Sequence, residues 1–208
     1  VLRESNKTWR SAKSEGGGAL YDYACHAIDL VHYIHAAPAS VSGVVRNRIF
    51  SADVDDEVYC GLDFGDGSSG QLAVNWSDES HRKMSTKIAM IGTNGRIYAD
   101  RQECQLYLRE AVSDLPEYGP GWTVKYTTEL TEDRWFYLRG EEYSGQLDDF
   151  ILAVKAGKST ADENDFASAT QTDKTMAMII DNAETGVPVR ESAVRVAEAP
   201  RRRGWFGR

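Results

Sequence analysis

The chain has 208 residues, 41% of them hydrophobic, with 24 Lys and Arg against 32 Asp and Glu for a formal charge of -8. That apolar share is enough for a packed core, while the acidic balance speaks against nucleic acid as a partner, because a phosphate-binding surface needs clustered Lys and Arg. No apolar run approaches the ~20 residues of a membrane helix, and three cysteines at 25, 60 and 104 with no CxxC spacing imply neither a disulfide framework nor a zinc knuckle, so a cytoplasmic protein without membrane contact is expected.

Residues 1–15, VLRESNKTWRSAKSE, are polar with one Trp and read as an extended segment over the surface. Gly16, Gly17 and Gly18 then allow a tight turn and a close backbone approach, and an amphipathic run to Ile34 follows, so the glycines form a loop that delivers a helix. Leu20, Ala24, Ala27, Ile28, Val31 and Ile34 recur at spacings of three and four and predict one buried stripe. Asp22 and His26, four apart, share a face. A carboxylate one turn from an imidazole can orient it and favour its protonated form, which is what a proton-transfer site needs. Asp29, three residues after His26, is a second candidate for the same ring. A capping Asp and a partly buried, satisfied His would leave the same pattern.

After a break at residues 35–38 come runs rich in Val, Ile and Tyr at 39–50, 56–64, 69–77, 84–91, 95–99 and 103–109, with turn residues between them. Val58, Cys60 and Leu62 alternate with Tyr59, Gly61 and Asp63, the period of a half-buried strand. The pattern predicts an antiparallel meander, one face under helices and the other open. GSSG at 67–70 and GTNG at 92–95 are turn sequences within it. At one strand end NWSDESHRKMS, residues 75–85, crowds polar and aromatic groups; Asn75, Trp76, Arg82 and Lys83 line a ligand cleft there, with Trp76 as a flat stacking surface, or they form an exposed turn.

Residues 111–121 are loop by composition and 122–130 a further strand. Trp135, Phe136 and Tyr137 form a cluster suited to packing. Residues 144–156 predict a helix with Leu147, Phe150, Ile151 and Val154 on one side and Gly157 past its end. A second long helix runs over 164–184, its stripe Phe166, Ala169, Thr172, Thr175, Met176 and Ile179, stopped by Gly186 and followed by a late strand. Residues 199–208 make a basic, aromatic tail, expected to be flexible, after a single domain over 1–198.

Other chemistries fit less well. His32 and His35 sit three apart, but no third ligand falls at a spacing that completes a tetrahedral site, so no metal is expected. A serine hydrolase would need a GxSxG elbow, which the sequence lacks.

The string GGGAL-x-D-x-x-x-H-x-IDL closely resembles the segment opening the first long helix of the substrate domain in the Gfo/Idh/MocA family of nicotinamide-dependent sugar and polyol oxidoreductases. AETGVPV at 183–189 resembles the way that domain ends. The family usually carries a Gly near Ala24, a small departure. The resemblance implies an α+β domain with a largely antiparallel open sheet and helices on one face, without the N-terminal Rossmann domain. By it Asp22 is a substrate-positioning carboxylate and His26 the catalytic acid/base. Trp9 and Arg10 stand where the family often has a Trp-Arg pair near the ligand, so that Trp9, Arg10 and Lys13 bind a hydroxyl or anionic group of the substrate; solvated loop charges are the alternative.

The chain opens at Val1 and holds neither a GxGxxG motif nor the family's Glu-Lys-Pro lysine, so it reads as part of a longer enzyme. The residues binding NAD or NADP are expected in that missing N-terminal dinucleotide-binding domain, with a small sugar-type substrate and a homo-oligomer formed through the open sheet face. The expected function is hydride transfer between the nicotinamide and a sugar, nucleotide-sugar or polyol, with this stretch inactive alone. A noncatalytic dimerisation or carbohydrate-binding module is the alternative.

Overall fold

A computed structural model describes residues 8–77, 85–131, 133–138, 141–157 and 165–190. Arg82, Lys83 and the tail at 199–208 lie outside the described residues. The chain divides into two compact units, Val1–Glu79 with Ala161–Arg208, and Ser80–Thr160.

The first unit is a four-stranded antiparallel sheet covered by two helices. Strands β1 (Ser40–Asn47), β2 (Glu57–Asp63) and β3 (Ser69–Asn75) form a meander, and the short β8 (Val189–Arg190) adds to the free side of β1, giving the order β3-β2-β1-β8. The alternation in β2 holds: Val58, Cys60 and Leu62 are buried and pair across to β3 in the register Val58↔Val74, Cys60↔Leu72. Burial pushes the Cys60 thiol up to about 11 against a backbone hydrogen bond at Leu72, so it serves as a packing residue.

Helices α1 (Cys25–Ile34) and α4 (Phe166–Thr185) close the core over β1. Leu20, Ala24 and Ile28 are buried with Met176, Met178 and Ile179. Asp165 caps α4 by accepting the Ser168 N–H at 2.7 Å, and Gly186, at φ 69°, ends it in a left-handed turn. Buried Asn182 ties α4 to the sheet: its Oδ1 accepts the Val44 N–H at 2.9 Å and its Nδ2 donates to the Val187 carbonyl at 2.6 Å. Phe166, expected in the stripe, is 94% exposed because it opens the helix. Ile34 is likewise exposed, at the last position of α1.

The second unit is a four-stranded antiparallel meander, β4 (Lys87–Ile91), β5 (Gly95–Asp100), β6 (Glu103–Leu108) and β7 (Gly121–Tyr126). The strand expected to reach Leu130 stops at Tyr126, whose N–H is taken by the Glu129 side chain at 2.8 Å, and α2 (Thr127–Leu130) follows as a single turn. In α3 (Glu141–Ala156) the expected apolar side, Leu147, Phe150, Ile151 and Val154, is exposed. Trp135 and Tyr137 are exposed as well. Trp135 packs edge to face on Phe136 and donates its indole N–H to Asp148 at 3.3 Å.

On one face of this sheet Ile91, Arg96, Tyr107 and Trp122 form a cross-strand row. The Arg96 guanidinium lies 5.0 Å from the Trp122 ring centre and 5.2 Å from that of Tyr98. The expected α+β class with antiparallel sheets is observed, the strands being shared between two sheets. No described helix is long and apolar enough to cross a membrane.

Candidate functional site

The polar segment expected to be extended coils into two 3-10 turns, Trp9–Ser11 and Lys13–Glu15. The glycines explain how it folds back. A side chain at Gly17 would put its Cβ 2.3 Å from the Arg10 carbonyl oxygen, and the Gly18 N–H donates to that same carbonyl at 3.1 Å. Gly18 itself has φ 115°, a conformation that suits glycine, and a Cβ there would come within 3.1 Å of Asp55 Oδ1. Only glycines let the segment lie this close to the start of the helix.

The consequence is an ion pair. Arg10 Nε donates to Asp22 Oδ2 at 2.7 Å, and the guanidinium stacks 4.7 Å from the centre of the Trp9 ring. The Asp22 side chain is only 12% exposed beneath an arginine that is 47% exposed. Among the described residues no hydrogen bond or ion pair joins Asp22 to His26: the guanidinium, always charged and rich in donors, holds the carboxylate that spacing had assigned to the imidazole. Asp29 is engaged elsewhere too, its Oδ1 accepting from Thr172 Oγ1 on α4 at 3.2 Å. His26 is exposed on the first turn of α1.

Ahead of α1 the helix is not an α-helix. Residues Leu20–Ala24 form a π turn, in which the Cys25 N–H reaches back to the Leu20 carbonyl. Such turns are rare and are found often at functional sites. Cys25, between this turn and His26, donates its thiol to the Tyr21 carbonyl at 3.0 Å, and burial raises its pKa, which makes it a poor nucleophile.

Asn75 and Trp76 stand at the end of β3. Trp76 donates its indole N–H to Asp56 Oδ1 at 2.9 Å and meets Tyr23 of the π turn edge-on, with ring centres 5.8 Å apart. Asn75 bonds Glu57 and accepts the Ser77 N–H at 2.7 Å. The strand end is thereby brought to the π turn through Trp76 and Tyr23. Lys13 is exposed on the second 3-10 turn.

Two residues that the sequence reading passed over prove central to this region. Asp55 and Asp56 are both buried, in the loop before β2. The Asp55 main-chain carbonyl accepts the Ala19 N–H at 2.8 Å, Oδ2 accepts the Leu20 N–H at 2.9 Å, and Oδ1 accepts from Arg46 Nη2 at 2.6 Å. Asp56 gathers the N–H groups of Ile49, Phe50 and Ser51, the Ser51 hydroxyl and the Trp76 indole. Burial alone would raise its pKa, but the hydrogen bonds from Trp76, Phe50 and Ser51 outweigh it and hold the carboxyl at about 2. The signal was there: three consecutive carboxylates between Val54 and Val58 of VDDEVYC have to be buried with partners or stay outside.

No group of three or more metal-ligating side chains occurs among the described residues. His32 instead meets Thr175 Oγ1 at 3.2 Å, and His35 meets Ser68 Oγ at 2.8 Å. The described strands pair only antiparallel.

Residues 2–98 match the family model described as GFO/IDH/MocA C-terminal domain, in agreement with the resemblance drawn from the glycine-led helix. No curated protein matches the chain. Among solved structures the chain is similar to levoglucosan dehydrogenase in complex with NADH and levoglucosan, with TM-score 0.71 and 24% identity over 89% of this chain and 54% of that one. It is similar to GenD2 from gentamicin A biosynthesis in complex with NAD, with TM-score 0.64 and 25% identity over 89% and 51%. It is also similar to the WlbA dehydrogenase from Bordetella pertussis in complex with NADH and UDP-GlcNAcA, with TM-score 0.60 and 14% identity over 84% and 49%. The chain spans about half the length of these structures' chains.

Proposed function

We infer that this chain, whose residues 2–98 match the C-terminal domain of the Gfo/Idh/MocA family, is the substrate domain of an NAD-dependent oxidoreductase acting on a sugar-type hydroxyl or carbonyl. The observation that carries the reading is the exposed His26 one turn beyond an Asp22 clamped by Arg10, on a helix led in by three glycines. Support for the substrate class comes from the levoglucosan and UDP-GlcNAcA held by similar structures.

When bound, the nicotinamide, NAD or NADP, exchanges the hydride with the substrate carbon. His26 takes the proton of the reacting hydroxyl at a ring nitrogen during oxidation and returns it during reduction, a step worth ~100-fold or more. Asp22, its charge balanced by Arg10, accepts a hydrogen bond from a neighbouring hydroxyl and so fixes the substrate against His26. The Arg10 nitrogens not used by Asp22 and the Trp9 ring bind the far side of the sugar, and Lys13, Asn75 and Trp76 complete its surroundings. The cofactor is bound by a dinucleotide-binding domain outside this chain, without which the stretch is inactive. Copies associate through the aromatic face of the β4–β7 sheet, where Ile91, Trp122 and Tyr126 are exposed.

The test is turnover of the full-length protein on a panel of sugars, polyols and nucleotide sugars, followed by nicotinamide absorbance, with His26→Ala beside it. Turnover by the parent and none by the variant is the expected result. Equal turnover by both removes His26 from the chemistry, and no turnover on any member of the panel favours a noncatalytic, self-associating module.

A further inference from the structure

The helix that carries Asp22 and His26 has no cap of its own. Ala19, at its N-cap position, offers no side-chain acceptor, and the N–H groups of Ala19 and Leu20 are buried. Both find acceptors on Asp55, one on the main-chain carbonyl and one on the carboxylate, supplied by the loop before β2, 35 positions beyond Leu20. The Asp55 side chain, 5% exposed, is balanced by Arg46 of β1, and its Oδ1 would stand 3.1 Å from a Cβ placed on Gly18. The loop before β2 therefore holds the origin of the helix, two residues before Asp22.

We propose that Asp55 is a positioning residue for this site, acting through the π turn on Asp22 and His26; the proposal rests on the proton-transfer reading given above. A π turn spends one residue more per hydrogen-bonded ring than an α-helix and is the less favourable winding. It persists here because its start is pinned by Asp55 and its side is braced by Trp76 against Tyr23. Released from Asp55, residues 19–24 rewind toward an α-helix. Asp22 then turns relative to Arg10, and the substrate's hydroxyls are no longer held in line with the imidazole. A misplacement of about 1 Å in such an arrangement can cost 100-fold in rate.

The experiment compares Asp55→Asn and Arg46→Gln with the parent in the full-length protein. The first removes the charge from the helix cap, and the second leaves the cap but unbalances it. Two readouts are used on samples shown by circular dichroism to be folded: the rate at which diethyl pyrocarbonate modifies His26, measured against His35 in the same digest, and the split of kcat from KM on the panel substrate with the highest turnover. The proposal expects the His26 rate to change at least about threefold with that of His35 unchanged. It also expects kcat to fall at least ~10-fold in Asp55→Asn, and in the same direction but less in Arg46→Gln, with nicotinamide affinity unaltered. A purely structural cap lowers the melting temperature and leaves both readouts of the folded molecules at parent values, and that result overturns the proposal. Should Asp55→Asn not fold, Arg46→Gln decides by the same criteria. His26→Ala with parent turnover sinks the proton-transfer reading whatever Asp55 does, whereas an inactive His26→Ala beside parent-like Asp55 and Arg46 variants sinks the positioning role alone.

Discussion

Arg10 Nε and Asp22 Oδ2 lie 2.7 Å apart although twelve positions separate the residues in the chain. Gly17 and Gly18 make that approach possible, and the approach decides who holds the carboxylate: Asp22 is paired with a guanidinium rather than with the imidazole of His26. With Arg10 about half exposed, solvent screens most of the attraction, so the pair's worth is geometric.

Arg10→Met should therefore leave thermal stability nearly unchanged, by less than about 1 kcal/mol, while raising KM for the sugar substrate several-fold. Differential scanning calorimetry and steady-state kinetics on the full-length protein check the two halves. A large loss of stability with KM unmoved would make the pair a structural one.

On the proposed role of His26 as the group that exchanges the substrate's proton, His26→Ala should lose ~100-fold or more in kcat with nicotinamide affinity unaffected. Fluorescence titration of the reduced cofactor, run beside the kinetics, separates the two quantities.

Gly18→Ala should destabilise the fold by about 1–3 kcal/mol, because the residue holds φ 115° and its new Cβ would come within 3.1 Å of Asp55 Oδ1. Gly16→Ala, with open space around its Cβ and φ 80°, should cost less. Urea melts of both variants rank them.

Asp56 sets a pH dependence whose sign follows from its pKa. Its carboxyl falls from an ordinary 3.8 to about 2 in the folded chain, so its ionised form stabilises the fold above pH 4, and that contribution, on the order of 2 kcal/mol, is lost as pH falls toward 2. Asp56→Asn should be less stable at pH 7 and show a flatter loss of stability between pH 4 and 2. Denaturation curves across that window test it; a parent-like slope in the variant would assign the acid sensitivity to other groups.

If copies pair as proposed through the β4–β7 sheet, Trp122→Glu should weaken that association, because Trp122 is exposed in the row with Ile91, Arg96 and Tyr107 and a carboxylate there resists desolvation. Sedimentation velocity of parent and variant at matched concentrations reads the difference.

Much of this molecule was legible in its residues because short-range periodicity is enough to write it. The period of two in β2, the three-and-four spacing from Leu20 to Ile28, and glycines past the ends of α3 and α4 fixed element type and inner face without any knowledge of partners. Misreadings fell where a side-chain hydrogen bond or the burial of a face, neither written in the periodicity, decided the outcome. The strand expected through Leu130 ended where the Glu129 side chain took the Tyr126 N–H, and the apolar side of α3 is exposed among the described residues. The glycine-led helix with Asp22 and His26 was visible for the same local reason.

What pairs with what at the site could not be read along the chain. Spacing offered Asp22 and Asp29 to His26. Folding gave Asp22 to Arg10 and Asp29 to Thr172, and it capped the helix with Asp55. Side-chain pattern along a segment determined which elements form and which face turns inward, because those choices are settled within a few residues. Hydrogen-bond partners were decided by the tertiary structure, since a buried or half-buried carboxylate takes the strongest donors that the folded chain brings within reach, however far away they lie in sequence.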